Sequence, residues 1–209
     1  MIIKICGIQD EDTLLCCEKN NVDFYGMIFY SKSPRNISFE NAMNLLKKSQ
    51  SLNINGVGIF VNQNIYQLEK IIKNLKLKFI QLHGSENEEY VKKLKKIGVK
   101  IIKSISISDI NDLNKIDKYK SVDYFLFDYK PHKGELPGGN SKRFDWDILS
   151  NLKTNKPWFL SGGINSDNIQ EILNGINPFG IDLSSGVEKE LGIKDNRIIN
   201  NFIENLKNA

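Results

Sequence analysis

The chain has 209 residues, of which 40% are apolar and 26% charged, with a formal net charge of +4. That length and composition fit one domain spanning residues 1–209 and exclude a fibrous, low-complexity or disordered protein. Apolar runs such as 56–61 and 124–127 fall far short of the roughly 20 residues a membrane span needs, and Met1–Gly7, running into Asp10, Glu11 and Asp12, lacks the shape of a secretory signal. A cytoplasmic protein without membrane partners is expected. Arginine occurs only at Arg35, Arg143 and Arg197, and the lysines are spread along the chain. No basic stripe interleaved with aromatics is present, so nucleic acid is not an expected partner. Cys6, Cys16 and Cys17 are odd in number and two are adjacent, which suggests neither a disulfide framework nor a zinc cluster.

In chain order, short runs rich in β-branched and aromatic residues predict strands at Ile2–Cys6, Phe24–Tyr30, Val57–Asn62, Phe79–His83, Lys100–Ile105, Tyr124–Asp128, Trp158–Ser161 and Gly180–Ser184. Helical period fills the gaps, as in Ile65, Leu68, Ile72 and Leu75, then Val91, Leu94 and Ile97, and lastly Ile198, Ile199, Phe202, Ile203 and Leu206. The strand runs are apolar on both faces, as parallel strands covered by helices should be. Eight strand–helix alternations predict an α/β fold, a single-domain (β/α)8 TIM barrel, at a tight average of about 26 residues per unit. An open doubly wound sheet is the alternative, but Cys6-Gly7-Ile8-Gln9-Asp10 offers no glycine-rich dinucleotide turn.

Catalytic groups of a barrel sit at the C-terminal ends of its strands. Those positions hold Cys6, Ser33-Pro34-Arg35, Asn62, His83, Asp128, Ser161-Gly162-Gly163 and Ser184-Ser185-Gly186. The last two loops, after adjacent strands and each expected to open a helix, suit an anion such as phosphate. Cys6 and Asp128 form a plausible base and acid across one mouth; a small core thiol and a capping carboxylate are the alternatives. Arg35 could grip a carboxylate through two parallel hydrogen bonds, or be surface charge. His83 stands alone and makes no metal site. The polar stretch 129–143, with His132, Gly134, Pro137, Gly138 and Gly139, reads as a mobile active-site loop. By strand parity Lys4 shares the inward face with Cys6, so it is expected to pair with Asp182 on the eighth strand and to lower the Cys6 pKa.

The motifs together carry a resemblance. Lys4-Ile5-Cys6-Gly7-Ile8, Ser33-Pro34-Arg35, Gln81-Leu82-His83-Gly84, Leu126-Phe127-Asp128, Leu160-Ser161-Gly162-Gly163 and Asp182-Leu183-Ser184-Ser185-Gly186-Val187-Glu188 occur in order over nearly the full length. The chain resembles the phosphoribosylanthranilate isomerases of tryptophan biosynthesis. That resemblance implies an Amadori rearrangement of a phosphosugar-anthranilate by general acid–base catalysis, with Cys6 as base and Asp128 as acid. It also implies Arg35 on the anthranilate carboxylate, and His83, Gly162, Gly163, Ser185 and Gly186 on the substrate; the Lys4–Asp182 pair expected from parity would support the site from below. No metal or cofactor is implied, and the family includes monomers and homodimers. One departure is Ser141, where the family usually has glycine. A metal-dependent sugar-phosphate epimerase and a non-catalytic binding barrel are the alternatives of other classes.

Overall fold

The computed structural model describes residues 1–208. Its centre is a closed barrel of eight parallel strands, each hydrogen-bonded to its neighbours in chain order: β1 (Ile2–Cys6), β2 (Phe24–Phe29), β3 (Asn55–Phe60), β4 (Phe79–Leu82), β5 (Lys100–Ile107), β6 (Tyr124–Tyr129), β7 (Trp158–Leu160) and β8 (Gly180–Leu183). Every strand lies within two residues of its expected bounds. Closure is made by β1 on β8, in the register Ile2 to Gly180, Ile3 to Ile181, Lys4 to Asp182 and Ile5 to Leu183.

Six α-helices cover the barrel: α1 (Glu11–Lys19), α2 (Phe39–Ser49), α3 (Ile65–Leu75), α4 (Glu88–Lys95), α5 (Ile169–Gly175) and α6 (Asn196–Lys207). Most start on a side-chain cap; Asp10 accepts from Thr13 N at 2.8 Å, and Ser38, Asn64, Asn87 and Asp195 act likewise. The expected alternation fails in the two crossovers flanking β6, which are 3-10 turns at Ile110–Lys118 and Trp146–Asn151. The first is rich in Asn and Asp, whose short side chains bond the nearby backbone and disfavour continued helix; Asp112 takes Ser108 N at 2.8 Å and Ser108 Oγ at 2.9 Å. After β8 comes a single 3-10 turn (Ser185–Val187), then a hairpin of β9 (Glu188–Glu190) and β10 (Ile193–Lys194).

The larger core lies between strands and helices, with Ile5, Tyr25, Phe60, Leu82, Phe125, Phe127 and Phe202 buried. Inside the barrel a second cluster of Val57, Ile59, Ile102, Leu126 and Phe159 fills the lower layers, closed beneath by Phe24 and Phe79 edge to face at 5.1 Å. The interior is apolar up to the layer of Lys4 and Asp182. Polar groups gather only above it. No described helix is long and apolar enough to cross a membrane.

Candidate active site

Cys6 ends β1, is 8% exposed, and opens into a cleft that Arg35, Gln81, His83, Asp128 and Asp182 also line. The turn that follows depends on glycine. Gly7 has φ +86°, and a Cβ there would lie 2.8 Å from Arg35 Cδ, so the arginine stem passes across bare backbone. Lys4, two residues below Cys6, donates to Asp182 Oδ2 at 2.7 Å as parity predicts. The Lys4 charge does pull the Cys6 pKa down, as expected, but burial outweighs it and leaves the thiol above its ordinary pKa.

Asp128 stands at the end of β6, 5% exposed, with Oδ1 accepting from Tyr129 N at 2.8 Å. Its Oδ2 lies 3.4 Å from His83 Nε2. Gln81 Nε2 is 2.9 Å from His83 Nδ1, and the carbonyl oxygen of Pro137 is 3.1 Å from Nε2. A carbonyl can only accept, so the ring proton belongs on Nε2, directed at Pro137 O, with Asp128 Oδ2 alongside. The 129–143 segment therefore lies over the mouth: Gly138 lies against His83 and Asp128, and Gly139 against the Arg35 guanidinium. His132 falls outside the cleft lining and meets the ring of Tyr129 edge-on.

Arg35 is only 1% exposed, which removes the surface-charge alternative. Its two-bond edge, however, is already taken. Nε donates to Glu188 Oε1 at 2.6 Å and Nη2 to Glu188 Oε2 at 2.8 Å, while Nη2 also reaches Gly139 O at 3.3 Å.

A smaller cavity adjoins the cleft and shares Asp128, Asp182, Ser161 and Ser184 with it; Gly162, Gly163 and Ser185 line the smaller cavity alone. Gly162 and Gly163 have φ of +92° and +69°, which turns the loop after β7 sharply. Neither loop opens an α-helix directly: α5 starts only at Ile169, and Ser185 opens a 3-10 turn. Gly186 is not on the cavity wall; it packs against the carbonyl oxygen of Ile164, which a Cβ would strike. Glu188, Lys194 and Gln81 are functional-site neighbours to which the sequence motifs assigned no role. Among the described residues no group of three or more His, Cys, Asp or Glu is placed to hold a metal ion.

The fold, with polar groups gathered at one barrel mouth and glycine turns side by side after β7 and β8, defines a (β/α)8 barrel whose candidate site lies at the C-terminal ends of its strands. The family model described as N-(5'phosphoribosyl)anthranilate (PRA) isomerase matches residues 3–205, and the chain belongs to that family. Among named relatives, the N-(5'-phosphoribosyl)anthranilate isomerase of Paramagnetospirillum magneticum is 38% identical over 205 residues, covering 97% of this chain and 95% of its own. That of Brucella canis is 39% identical over 210 residues, covering 99% and 94%. Among solved structures, the phosphoribosyl anthranilate isomerase of Thermotoga maritima superposes with a TM-score of 0.87 at 30% identity, with 100% of both chains covered. That of Thermus thermophilus has a TM-score of 0.89 at 24% identity, covering 100% of this chain and 99% of its own, a likeness of fold. A further isomerase structure, in complex with reduced 1-(o-carboxyphenylamino)-1-deoxyribulose 5-phosphate, gives 0.84 at 29% identity, with 100% of both chains covered.

Proposed function

We propose that this chain converts N-(5-phosphoribosyl)anthranilate to 1-(2-carboxyphenylamino)-1-deoxyribulose 5-phosphate in tryptophan biosynthesis, with Cys6 as general base and Asp128 as general acid. The observation that carries the assignment of roles is the placing of both groups in one buried cleft, between an arginine on one side and the glycine-turn cavity on the other. Asp128 protonates the ribose ring oxygen, the ring opens, and the aminal carbon becomes a Schiff base. Cys6 then removes the C2′ proton, and the electron pair of that bond neutralises the iminium to give an enolamine. The enolamine tautomerises as the C2′ hydroxyl loses its proton and C1′ gains one. No atom is gained or lost overall.

The remaining residues bind and orient. The Gly162–Gly163 and Ser184–Ser185 turns are suited to the phosphate: the N–H groups of Gly163 and Ser185 make no hydrogen bond to the protein among the described residues. Arg35 faces the anthranilate carboxylate. Asp182 Oδ1 is buried and has no partner among the described residues, so it is available to a sugar hydroxyl. His83, held by Gln81 and Pro137, packs its Nε2 beside Asp128 Oδ2 and so helps to place the acid. The enzyme is taken to act in the cytoplasm, as a monomer or homodimer, on a free small-molecule substrate.

Freshly generated phosphoribosylanthranilate is fluorescent and its rearrangement destroys that signal, so turnover is read directly. Binding of the substrate without loss of fluorescence would instead make the chain a non-catalytic binding barrel.

A further inference from the structure

The hairpin that follows β8 folds back on the mouth of the barrel. Its first residue, Glu188, has a side chain only 4% exposed and accepts from four donors. Oε1 takes Arg35 Nε and Lys194 Nζ, both at 2.6 Å; Oε2 takes Arg35 Nη2 at 2.8 Å and Gly192 N at 3.0 Å. Lys194, 2% exposed at its side chain, also donates to Ser184 O at 3.0 Å and Ser184 Oγ at 3.3 Å. The Ser184 hydroxyl in turn donates to Cys6 O at 3.2 Å. One carboxylate thus ties the loop after β2 to the loop after β8, and through Ser184 to the end of β1.

A guanidinium has five N–H donors in a fixed plane. Two of those of Arg35 go to Glu188 and one to Gly139, so both hydrogens on Nη1 lack a protein acceptor among the described residues. The charges also count. Arg35 and Lys194 contribute two positive charges and Glu188 one negative, which leaves one positive charge in a buried site. Without Lys194 the Arg35–Glu188 pair would be neutral and hold little net attraction for an anion.

We infer that Glu188 and Lys194 are positioning residues for the substrate's carboxylate. Glu188 holds the Nε–Nη2 edge of Arg35, so the incoming carboxylate is met by Nη1, and Lys194 supplies the charge that keeps the trio cationic. The arginine stem is immobilised before substrate arrives, which removes an ordering cost from binding. This rests on the reading of Arg35 as the carboxylate anchor.

The test uses two inhibitors, the reduced product analogue with its 2-carboxyphenyl group and the same compound with a plain phenyl group. Competitive inhibition constants are measured for the native protein, Arg35→Ala, Glu188→Gln and Lys194→Met. The native protein should prefer the carboxylated probe by about 10- to 100-fold, the usual worth of a charged hydrogen bond. Arg35→Ala should abolish that preference. Glu188→Gln and Lys194→Met should each reduce it by about tenfold, and Glu188→Gln should leave the phenyl probe's constant unchanged. A merely structural Glu188 would weaken both probes equally. Glu188→Asp, which keeps the charge but withdraws the carboxylate by one methylene, should show the same selective loss and serves if Glu188→Gln does not fold. A native protein with no preference overturns the anchor reading and this inference together. A native preference kept in full by Glu188→Gln or Glu188→Asp, whether both probes bind as before or both weaken equally, overturns the inference alone.

Discussion

Lys4 on β1 and Asp182 on β8 are register partners, and their side chains meet inside the barrel at 2.7 Å, 0% and 4% exposed. Burial works against the Lys4 charge, but Asp182 and then Cys6 outweigh it and hold the ammonium above its ordinary pKa. Asp182 lines the cleft, and Lys4 is fully buried against it. Lys4→Met alone should leave a buried carboxylate without its cation and cost about 3–5 kcal/mol. Adding Asp182→Leu should recover much of that, because an apolar pair replaces an ionic one without an orphaned charge. Urea melts of the two variants check this, and a double variant as unstable as the single one would refute the paired account. The double variant should still be inactive, since it also removes Asp182 Oδ1 from the cleft.

The two glycine turns should respond differently to a side chain. At Gly186 a Cβ strikes the Ile164 carbonyl oxygen, so Gly186→Ala should lower thermal stability and activity together. At Gly163, on the cavity wall, a Cβ sits 3.1 Å from Arg143 N and the φ of +69° is costly for alanine. Gly163→Ala should therefore lose about 1 kcal/mol of stability and also weaken inorganic phosphate as a competitive inhibitor. Phosphate inhibition unchanged in Gly163→Ala would place the phosphate elsewhere.

How much of this was legible in the sequence follows from the range of each signal. The strands were readable because each is a compact apolar run, buried on both faces, and a period of two then placed Lys4 opposite Asp182. The crossovers around β6 were not, because alternation counts connections without testing whether Ile110–Lys118 favours an α-helix. Arg35 was legible as a candidate site residue but its partner was not: Glu188 lies 153 residues away, and only the folded barrel brings the two loops together. Gly186 shows the same limit. A glycine in a loop signals close approach, and here the approaching group is the Ile164 carbonyl. For Cys6 the charge of Lys4 was visible, whereas the depth of burial that outweighs it was not.

In the loop over the mouth Ser141 takes φ +56°, the left-handed conformation glycine adopts freely. Ser141→Gly relieves that strain but adds freedom to the unfolded chain, and the two effects are each of order 0.5–1 kcal/mol. Melting temperature and KM should therefore barely change. Ser141→Val, β-branched at the same φ, should instead shift the loop and raise KM, since Pro137 and Gly139 of that loop contact His83 and Arg35. Equal KM values for the glycine and valine variants would show that the backbone at 141 does not set the loop's position.

The last prediction concerns the proton chemistry at Cys6. An unperturbed cysteine titrates near 8.5 and is only about 3% thiolate at pH 7. Burial raises the Cys6 pKa in the unliganded protein, with Lys4 opposing, so its thiolate fraction there is lower still. The profile of kcat/KM reports the free enzyme, so its acidic limb should lie above about 8.5 and climb tenfold per pH unit below that point. The same shift has a stability consequence. A raised folded pKa favours the neutral thiol in the native state, so that stability is complete below the unfolded value and is lost as pH rises above it. Cys6→Ser should accordingly flatten the alkaline fall in melting temperature relative to the native protein. Cys6→Ser and Asp128→Asn are nearly isosteric, and each should lower kcat by about 10²–10⁴-fold, the usual contribution of a general acid or base, with the fold intact by circular dichroism. An acidic limb well below pH 8 that survives Cys6→Ser, with turnover near normal, would take the thiol out of the mechanism and leave another group as the base.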